Sequence, residues 1–166
     1  MGETNEMPCA KSSTDSNGRS NEELRTKWAM ALNPNTPAKV LADLAENAPV
    51  SVLERIAENP RVSPDTLTKL SVHVCSSVRA AVAENSSTVL DVLLELMHDE
   101  CVDVRYSIAE NHSMPFGILQ SLQDDENPYV ASRARKTLSR LVENKVLHAT
   151  FRTNLEILMD RKVQNG

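Results

Sequence analysis

The apolar and polar positions of this chain repeat one pattern every 26 residues, in four columns that keep step without a gap. One column is asparagine, two are leucine and one is valine: Asn33, Asn59, Asn85 and Asn111; Leu41, Leu67, Leu93 and Leu119; Leu44, Leu70, Leu96 and Leu122; Val52, Val78, Val104 and Val130. An internal repeat of this length is typical of solenoid proteins, in which each unit packs against its neighbours.

The first half of each repeat predicts a helix of about two turns. Apolar pairs at i,i+4 spacing, such as Val78 and Val82, place one stripe of each helix on the core side. The predicted N-cap residues stand directly before the column valine and are Ser51, Ser77 and Asp103. Each helix ends at the column asparagine, where we expect left-handed geometry or side-chain bonds to the turn, stacked as a ladder.

The second half of each repeat predicts another helix, which carries the leucine pair. Ser63-Pro64 and Thr36-Pro37 each supply a hydroxyl cap followed by proline at the first helical position. The unit is shorter than the roughly 40 residues of an ordinary two-helix repeat. We therefore predict an all-α solenoid of short repeats, each built from two α-helices or from one α-helix and one 3₁₀ helix.

Both ends of the chain depart from the repeat. Residues 1–20 are polar and predict a disordered tail, because they carry little apolar surface to bury. The solenoid domain is predicted at 21–142, opening with a helix near 21–32 in which Trp28 covers the end of the stack or, alternatively, anchors a partner. Residues 143–166 predict a capping helix or, alternatively, a dimer or partner contact, from apolar residues at helical spacing: Leu147, Phe151, Leu155 and Leu158.

Composition and charge narrow the function classes. The chain is 40% hydrophobic with a net charge of −5, which disfavours broad binding to nucleic acid or anionic lipid. No apolar run approaches the roughly 20 residues that cross a bilayer. An odd number of cysteines without a secretory signal predicts a cytoplasmic location.

The unit VRAAVAEN at 78–85, with its later serine or threonine, proline and paired leucines, resembles the leucine-rich-repeat-variant family and, more distantly, HEAT repeats. The resemblance covers about 26–137 and implies a right-handed superhelix of alternating α- and 3₁₀-helices. It also implies pairing of an acidic residue with an arginine, here Asp99 with Arg105. Some members carry an N-terminal cysteine cluster for an iron–sulfur centre; only Cys9 stands there in this chain, so no cofactor is predicted.

Catalytic and metal-binding patterns are weak. The chain has no glycine-rich phosphate loop, no HExxH and no nucleophile elbow, so an enzyme is not predicted. Weak metal candidates are His73, Cys75, His98 and Cys101, whose spacing is irregular for a zinc site. Buried thiols in repeat turns are the favoured interpretation of the two cysteines.

What remains is a protein–protein interaction scaffold of bacterial type, with a partner that the sequence does not identify. Its candidate binding residues are an acidic column, Glu58, Glu84 and Glu110, and the second-helix residues Asp91, Leu94 and Glu95. Two alternatives stay open: a nucleic-acid-binding module that uses the basic C-terminal region, and a metal-binding accessory protein. Oligomers through the C-terminal helix are a further expectation.

Overall fold

The computed structural model describes the backbone of residues 18–143 and the side chains of residues 21–143. Regular secondary structure within these bounds is helical, with no strand. The helices are α1 (Gly18–Leu32), α2 (Ala38–Ala45), α3 (Val50–Glu58), α4 (Pro64–Leu70), α5 (Ser76–Glu84), α6 (Leu90–Leu96), α7 (Val102–Glu110), α8 (Phe116–Ser121) and α9 (residues 128–143), with a 3₁₀ turn at Leu122–Asp124.

The chain divides into two compact units, Met1–Leu96 and Met97–Gly166. In the first unit, α1 packs against α3 and α3 against α5, while α2 and α4 lie beside these first helices. In the second unit, α8 packs against the 3₁₀ turn. Packing between helices that are close in sequence is the mark of a helical repeat, so the predicted all-α solenoid class is confirmed. The handedness of the superhelix stays a prediction.

The columns predicted to face the core are buried. Fully or almost fully buried members are Val52, Val78, Val104 and Val130, Ala57, Ala83 and Ala109, and Leu41, Leu67, Leu93 and Leu119. In the second leucine column Leu44 is only half-buried, whereas Leu70, Leu96 and Leu122 are buried. The small alanine side chains let successive first helices approach closely, which suits a core with few aromatic residues.

The predicted caps of the first helices are wrong. These helices begin two residues earlier, so Ser51, Ser77 and Asp103 lie in the first turn rather than at the N-cap. The N-cap positions hold Pro49, Cys75 and Cys101, whose side chains form no capping hydrogen bond. Extended backbone at the cap presents its carbonyl inward instead; the Pro49 carbonyl accepts from the amides of Val52 and Leu53 at 2.9 and 3.1 Å.

The second helices follow the prediction most closely at α4. The Ser63 side chain accepts the amide of Thr66 at 3.2 Å, and Pro64 occupies the first turn. In α2 and α8 a proline, Pro37 or Pro115, takes the N-cap position itself. Both helices of each described repeat are α-helical, so the alternation of α- and 3₁₀-helices implied by the resemblance is wrong here.

The N-terminal helix begins earlier than predicted. Helix α1 starts at Gly18, so residues 18–20 are helical rather than part of a tail. The rest of the predicted tail, residues 1–17, and almost all of the predicted capping segment at 143–166 lie outside the described residues. Of the helices within the described range, none has the length and apolarity that a membrane crossing requires.

Candidate functional site

The column asparagines form a hydrogen-bonded ladder within the first unit. The Nδ2 atom of Asn59 donates to the carbonyl oxygens of Ala31 and Asn33 at 2.6 and 3.0 Å. One repeat later, Nδ2 of Asn85 donates to the carbonyl oxygens of Ala57 and Asn59 at 2.6 and 3.1 Å. Each rung therefore ties the end of one first helix to the end of the preceding one.

The other end of each side-chain amide fixes its own turn. Oδ1 accepts the amide two residues later at 2.8–2.9 Å in all four copies: Asn33 from Asn35, Asn59 from Arg61, Asn85 from Ser87 and Asn111 from Ser113. The backbone of Asn59 is extended, with φ −69° and ψ 129°, and Asn85 and Asn111 are similar. Of the two expected geometries, side-chain bonding is therefore the one found, because the side chain rather than a positive φ closes the turn.

Threonines extend this network. In the second unit, Thr137 stands one repeat after Asn111, and its Oγ1 donates to the carbonyl oxygen of Ala109 at 2.7 Å. The hydroxyls of Thr36 and Thr88 donate to the carbonyl oxygens of Met30 and Val82, each at 2.6 Å. The polar residues that recur most regularly in the sequence thus form hydrogen bonds to backbone groups within the fold.

One buried column of the repeat holds arginine in two copies, and the sequence pattern predicted only part of this arrangement. Arg79 and Arg105 are both buried, and Nη1 of each binds carbonyl oxygens in the turn before its own helix. Arg105 Nη1 donates to the carbonyl oxygen of Asp99 at 2.7 Å, which places these two residues side by side as the resemblance implied. Its carboxylate partners are Asp125, at 2.8 Å from Nε, and Glu126, at 3.2 Å from Nη2.

The Arg105–Asp125 pair is enclosed, with side-chain exposures of 7% and 5%. The pKa of Arg105 is raised above its ordinary value, mainly by the hydrogen bond to Asp125, while burial acts in the opposite direction. The pair lies at the edge of a cleft of about 280 Å³ in the second unit, lined by Met97, His98, Arg105, Ser121, Leu122, Asp124, Asp125 and Glu126. The side chain of Asp125 is therefore enclosed, and its charge is balanced by the guanidinium of Arg105.

The acidic column predicted as a binding row is exposed at all three positions. Glu58 forms an ion pair with Arg55 on the same helix. Glu110 forms an ion pair with Arg133, whose guanidinium also lies 5.9 Å from the ring centroid of Tyr106. The carboxylates of Glu58 and Glu110 are thus each partly compensated by a neighbouring arginine.

The second helices turn the predicted variable positions outward. In α6 the side chains of Val92, Leu93 and Leu96 are buried, whereas Asp91, Leu94 and Glu95 are exposed. Leu90, which the sequence analysis did not single out, is 52% exposed and belongs to the same outward face. A signal for it was present, because Pro64 and Phe116 stand 26 residues on either side in the same exposed column.

The weak metal candidates have other roles. Among the residues that the structure describes, no group of three or more His, Cys, Asp or Glu is placed to hold a metal ion. The Nδ1 atom of His73 accepts the amide of Cys75 at 3.0 Å, and Cys75 is disulfide-bonded, so its sulfur is not a thiolate ligand. Cys101 is a half-buried free cysteine, and His98 lines the cleft of the second unit.

Trp28 does not form the predicted lid. Its side chain is 45% exposed and lines a shallow depression of about 220 Å³ with Leu24, Arg25 and Ser51. Ala31, on the same helix, is fully buried and makes the closer contact with the stack. Within α1, the side chain of Ala31 therefore packs into the stack while about half of the indole stays exposed.

Some of the basic side chains of α9 are engaged in contacts within the protein. Arg133 pairs with Glu110, and Nη2 of Arg135 donates to the carbonyl oxygen of Gln123 at 2.6 Å. Lys136 and Arg140 are exposed. The segment therefore offers fewer unengaged cations than its sequence suggests.

Comparison with known proteins agrees with this geometry. No curated protein and no solved structure matches the chain. Residues 25–86 match the model of the Leucine Rich Repeat Variant domain. This stretch contains α2 to α5 and the rungs made by Asn59 and Asn85. Residues 25–86 of this chain are therefore similar to the Leucine Rich Repeat Variant domain.

Proposed function

We propose that this protein is a non-enzymatic protein–protein interaction module that binds through the outer face of its second helices. The supporting observation is that each repeat uses one set of positions for its fold and leaves another set exposed. The asparagine column forms the hydrogen-bonded ladder, and the valine and leucine columns form the core. The outward positions of the second helices, in contrast, vary from copy to copy. Repeat scaffolds recognise partners through such exposed, variable positions on a constant frame.

The outward positions are also chemically different in each copy. One exposed column holds Lys39, Asp65, Asp91 and Gly117, and another holds Thr68, Leu94 and Gln120 after the half-buried Ala42. Within each column the charge, length and polarity of the side chain change from repeat to repeat, so the fold requires no particular residue type there. The surface can therefore be specialised without disturbing the fold.

The acidic row is a weaker candidate for the same role. The arginines beside Glu58 and Glu110 reduce the negative potential that a basic partner would meet. Exposed ion pairs of this kind are screened by solvent and salt, so the row can still influence the rate of association. We rank it below the second-helix face.

Nucleic-acid binding is the second candidate, and the exposed Lys136 and Arg140 on α9 favour it. Phosphate binding usually draws on several cations at once, and two arginines of this helix are engaged within the protein. A cytoplasmic, bacterial setting remains our expectation. The disulfide at Cys75 removes the support that cysteine usage gave to a reducing compartment.

Site-directed photocrosslinking of the full chain in host lysate tests the proposal. A photoreactive residue is placed at Thr68 or Gln120 on the second helices and, as matched controls, at the exposed first-helix positions Ser51 and Asp103. We expect protease-sensitive, nuclease-resistant adducts from the second-helix positions. Adducts confined to the first-helix positions, adducts removed by nuclease, or no adduct at any position would overturn the proposal.

A further inference from the structure

Helix α6 carries an outward face unlike that of the other described second helices. Its four outward residues form two parallel stripes at i,i+4 spacing: Leu90 with Leu94, and Asp91 with Glu95. Leu90 and Leu94 are 52% and 46% exposed, and Val89 just before the helix is also exposed. Two leucines and two carboxylates thus lie side by side on one short helix.

The other repeats serve as internal controls for this face. Their corresponding residues are Ala38, Lys39, Ala42 and Asp43 in α2; Pro64, Asp65, Thr68 and Lys69 in α4; and Phe116, Gly117, Gln120 and Ser121 in α8. Helices α2 and α4 therefore carry opposite charges at i,i+4, and α8 carries none. The fold requires neither leucine at position 94 nor acid at positions 91 and 95, because the same columns accept other residues.

The charge arrangement of α6 is unfavourable for the protein alone. Like charges at i,i+4 on a helix repel each other, whereas the opposite charges on α2 and α4 attract. Asp91 and Glu95 form no ion pair with any residue that the structure describes. The exposed leucines beside them also keep apolar surface in contact with water. A ligand that covers the leucines and supplies positive charge would relieve both.

We infer that the outer face of α6 binds an amphipathic helix of another protein, whose apolar stripe is flanked by lysine or arginine. This inference rests on the proposed interaction function and names the partner chemistry for it. The apolar stripe of the partner packs on Leu90 and Leu94, and its cations meet Asp91 and Glu95. An amphipathic partner helix presents its apolar anchors at i, i+3 or i+4, and i+7, and Leu90 with Leu94 gives α6 an apolar pair at the same i,i+4 spacing.

The test is an NMR titration of the isotopically labelled full chain with defined peptides. Three 18-residue helical probes share one length: a leucine stripe flanked by lysine, the same stripe flanked by glutamate, and a scrambled version of the lysine peptide. A fourth probe is the peptide of residues 144–166 of this chain. Backbone amide shifts locate each binding site on the protein.

We expect the lysine-flanked peptide to shift amides of α6, with the glutamate-flanked and scrambled peptides at least about tenfold weaker. Leu94→Gln, which installs the residue found at position 120, should weaken binding by about tenfold or more. Asp91→Lys with Glu95→Lys should reverse the preference toward the glutamate-flanked peptide. Ser77→Gln, at an exposed first-helix position on α5, should leave binding unchanged.

Three results would overturn the inference: no saturable shift at α6, equal binding of the scrambled peptide, or binding unaffected by Leu94→Gln. Binding of the 144–166 peptide at α6 as tight as that of the lysine-flanked probe would make the occupant a second copy of this chain, which also overturns it. Failure here is distinct from failure of the interaction function. Photocrosslinked partners at Thr68 or Gln120 would keep the module while excluding the α6 site.

Discussion

The side-chain amide of Asn85 donates a hydrogen bond at 2.6 Å to the carbonyl oxygen of Ala57, which lies 28 residues earlier in the chain. The same nitrogen donates to the carbonyl oxygen of Asn59, and Oδ1 of Asn85 accepts the amide of Ser87. One side chain thus completes three backbone groups in two successive repeats. The ladder supplies between repeats the kind of bonding that a strand pair supplies in a sheet.

Replacing Asn85 by alanine should destabilise the protein by about 1–3 kcal/mol, because the buried carbonyl oxygens lose their donor. Urea unfolding followed by circular dichroism measures this loss. The matched control is Asn33→Ala, since the Asn33 side chain is exposed and bonds only to the nearby amide of Asn35. Equal losses at the two positions would show that the bond between repeats adds nothing to the local turn.

Removing one partner of the buried Arg105–Asp125 ion pair should cost more stability than replacing both partners. Arg105→Leu should cost about 3–5 kcal/mol, because it leaves the enclosed carboxylate of Asp125 without its cation. Leucine fits the column, since Leu53 occupies the corresponding position two repeats earlier. Adding Asp125→Asn should recover much of the loss, because the amide oxygen can still accept the amide of Asn127. A double variant no more stable than Arg105→Leu would rule out the stranded charge as the cause.

The pH dependence of this pair follows from the direction of its pKa shift. The pKa of Arg105 is raised in the folded state, chiefly by Asp125. Its contribution is therefore fully present below the unfolded-state pKa and is lost only as pH rises through the folded value, in strong alkali. Titration of Arg105 should add no slope to the free energy of unfolding between neutral and mildly alkaline pH, measured as the difference from Arg105→Leu.

Trp28 offers a spectroscopic prediction, because it is the chain's one tryptophan. With a half-exposed indole, the folded protein should show solvent-exposed emission that iodide quenches readily. Trp28→Ala should cost less than the about 3–5 kcal/mol typical of a buried tryptophan. Blue-shifted, unquenchable emission would contradict the exposed position and indicate that another segment or molecule covers the depression beside Leu24.

The sequence predicted the parts of the fold that depend on period. The 26-residue step identified the buried valine and leucine columns, and the asparagine ladder followed from placing one amide at each helix end. The first residue of each helix was harder to predict, because a serine before an apolar residue fits the first turn as well as it fits the N-cap. At Cys101 the Asp99 carboxylate accepts the backbone amide at 2.8 Å and fixes the turn that leads into α7.

The candidate site was only partly predictable for a different reason. The α6 residues Asp91, Leu94 and Glu95 stood out because their columns vary between repeats. The pairing of Glu58 with Arg55 spans only i,i+3 on one helix, but the compensation of Glu110 could not be inferred from such local spacing. The partner of Glu110 is Arg133, 23 residues later, and no single-repeat pattern links the two. Long-range pairs of this kind require the packed structure.

The last prediction sets the two acidic surfaces against each other. Changing Glu58, Glu84 and Glu110 together to lysine should leave the protein folded, since exposed substitutions typically change stability by within about 0.5 kcal/mol each. Lysine at position 110 would face Arg133, so that position should be the most sensitive of the three. Thermal melts of the triple variant and of each single variant measure this directly.

Binding is where the two surfaces should separate. Because arginines already offset two charges of the row, the triple variant should retain the crosslinked partners, with association slowed mainly at low salt. Asp91→Lys with Glu95→Lys changes only two charges, yet it should remove the partners, because those carboxylates flank the exposed leucines of α6. Both variants must first show wild-type helicity. The opposite outcome, loss in the triple variant and retention in the α6 variant, would make the acidic row the binding surface and leave the leucines of α6 without a partner.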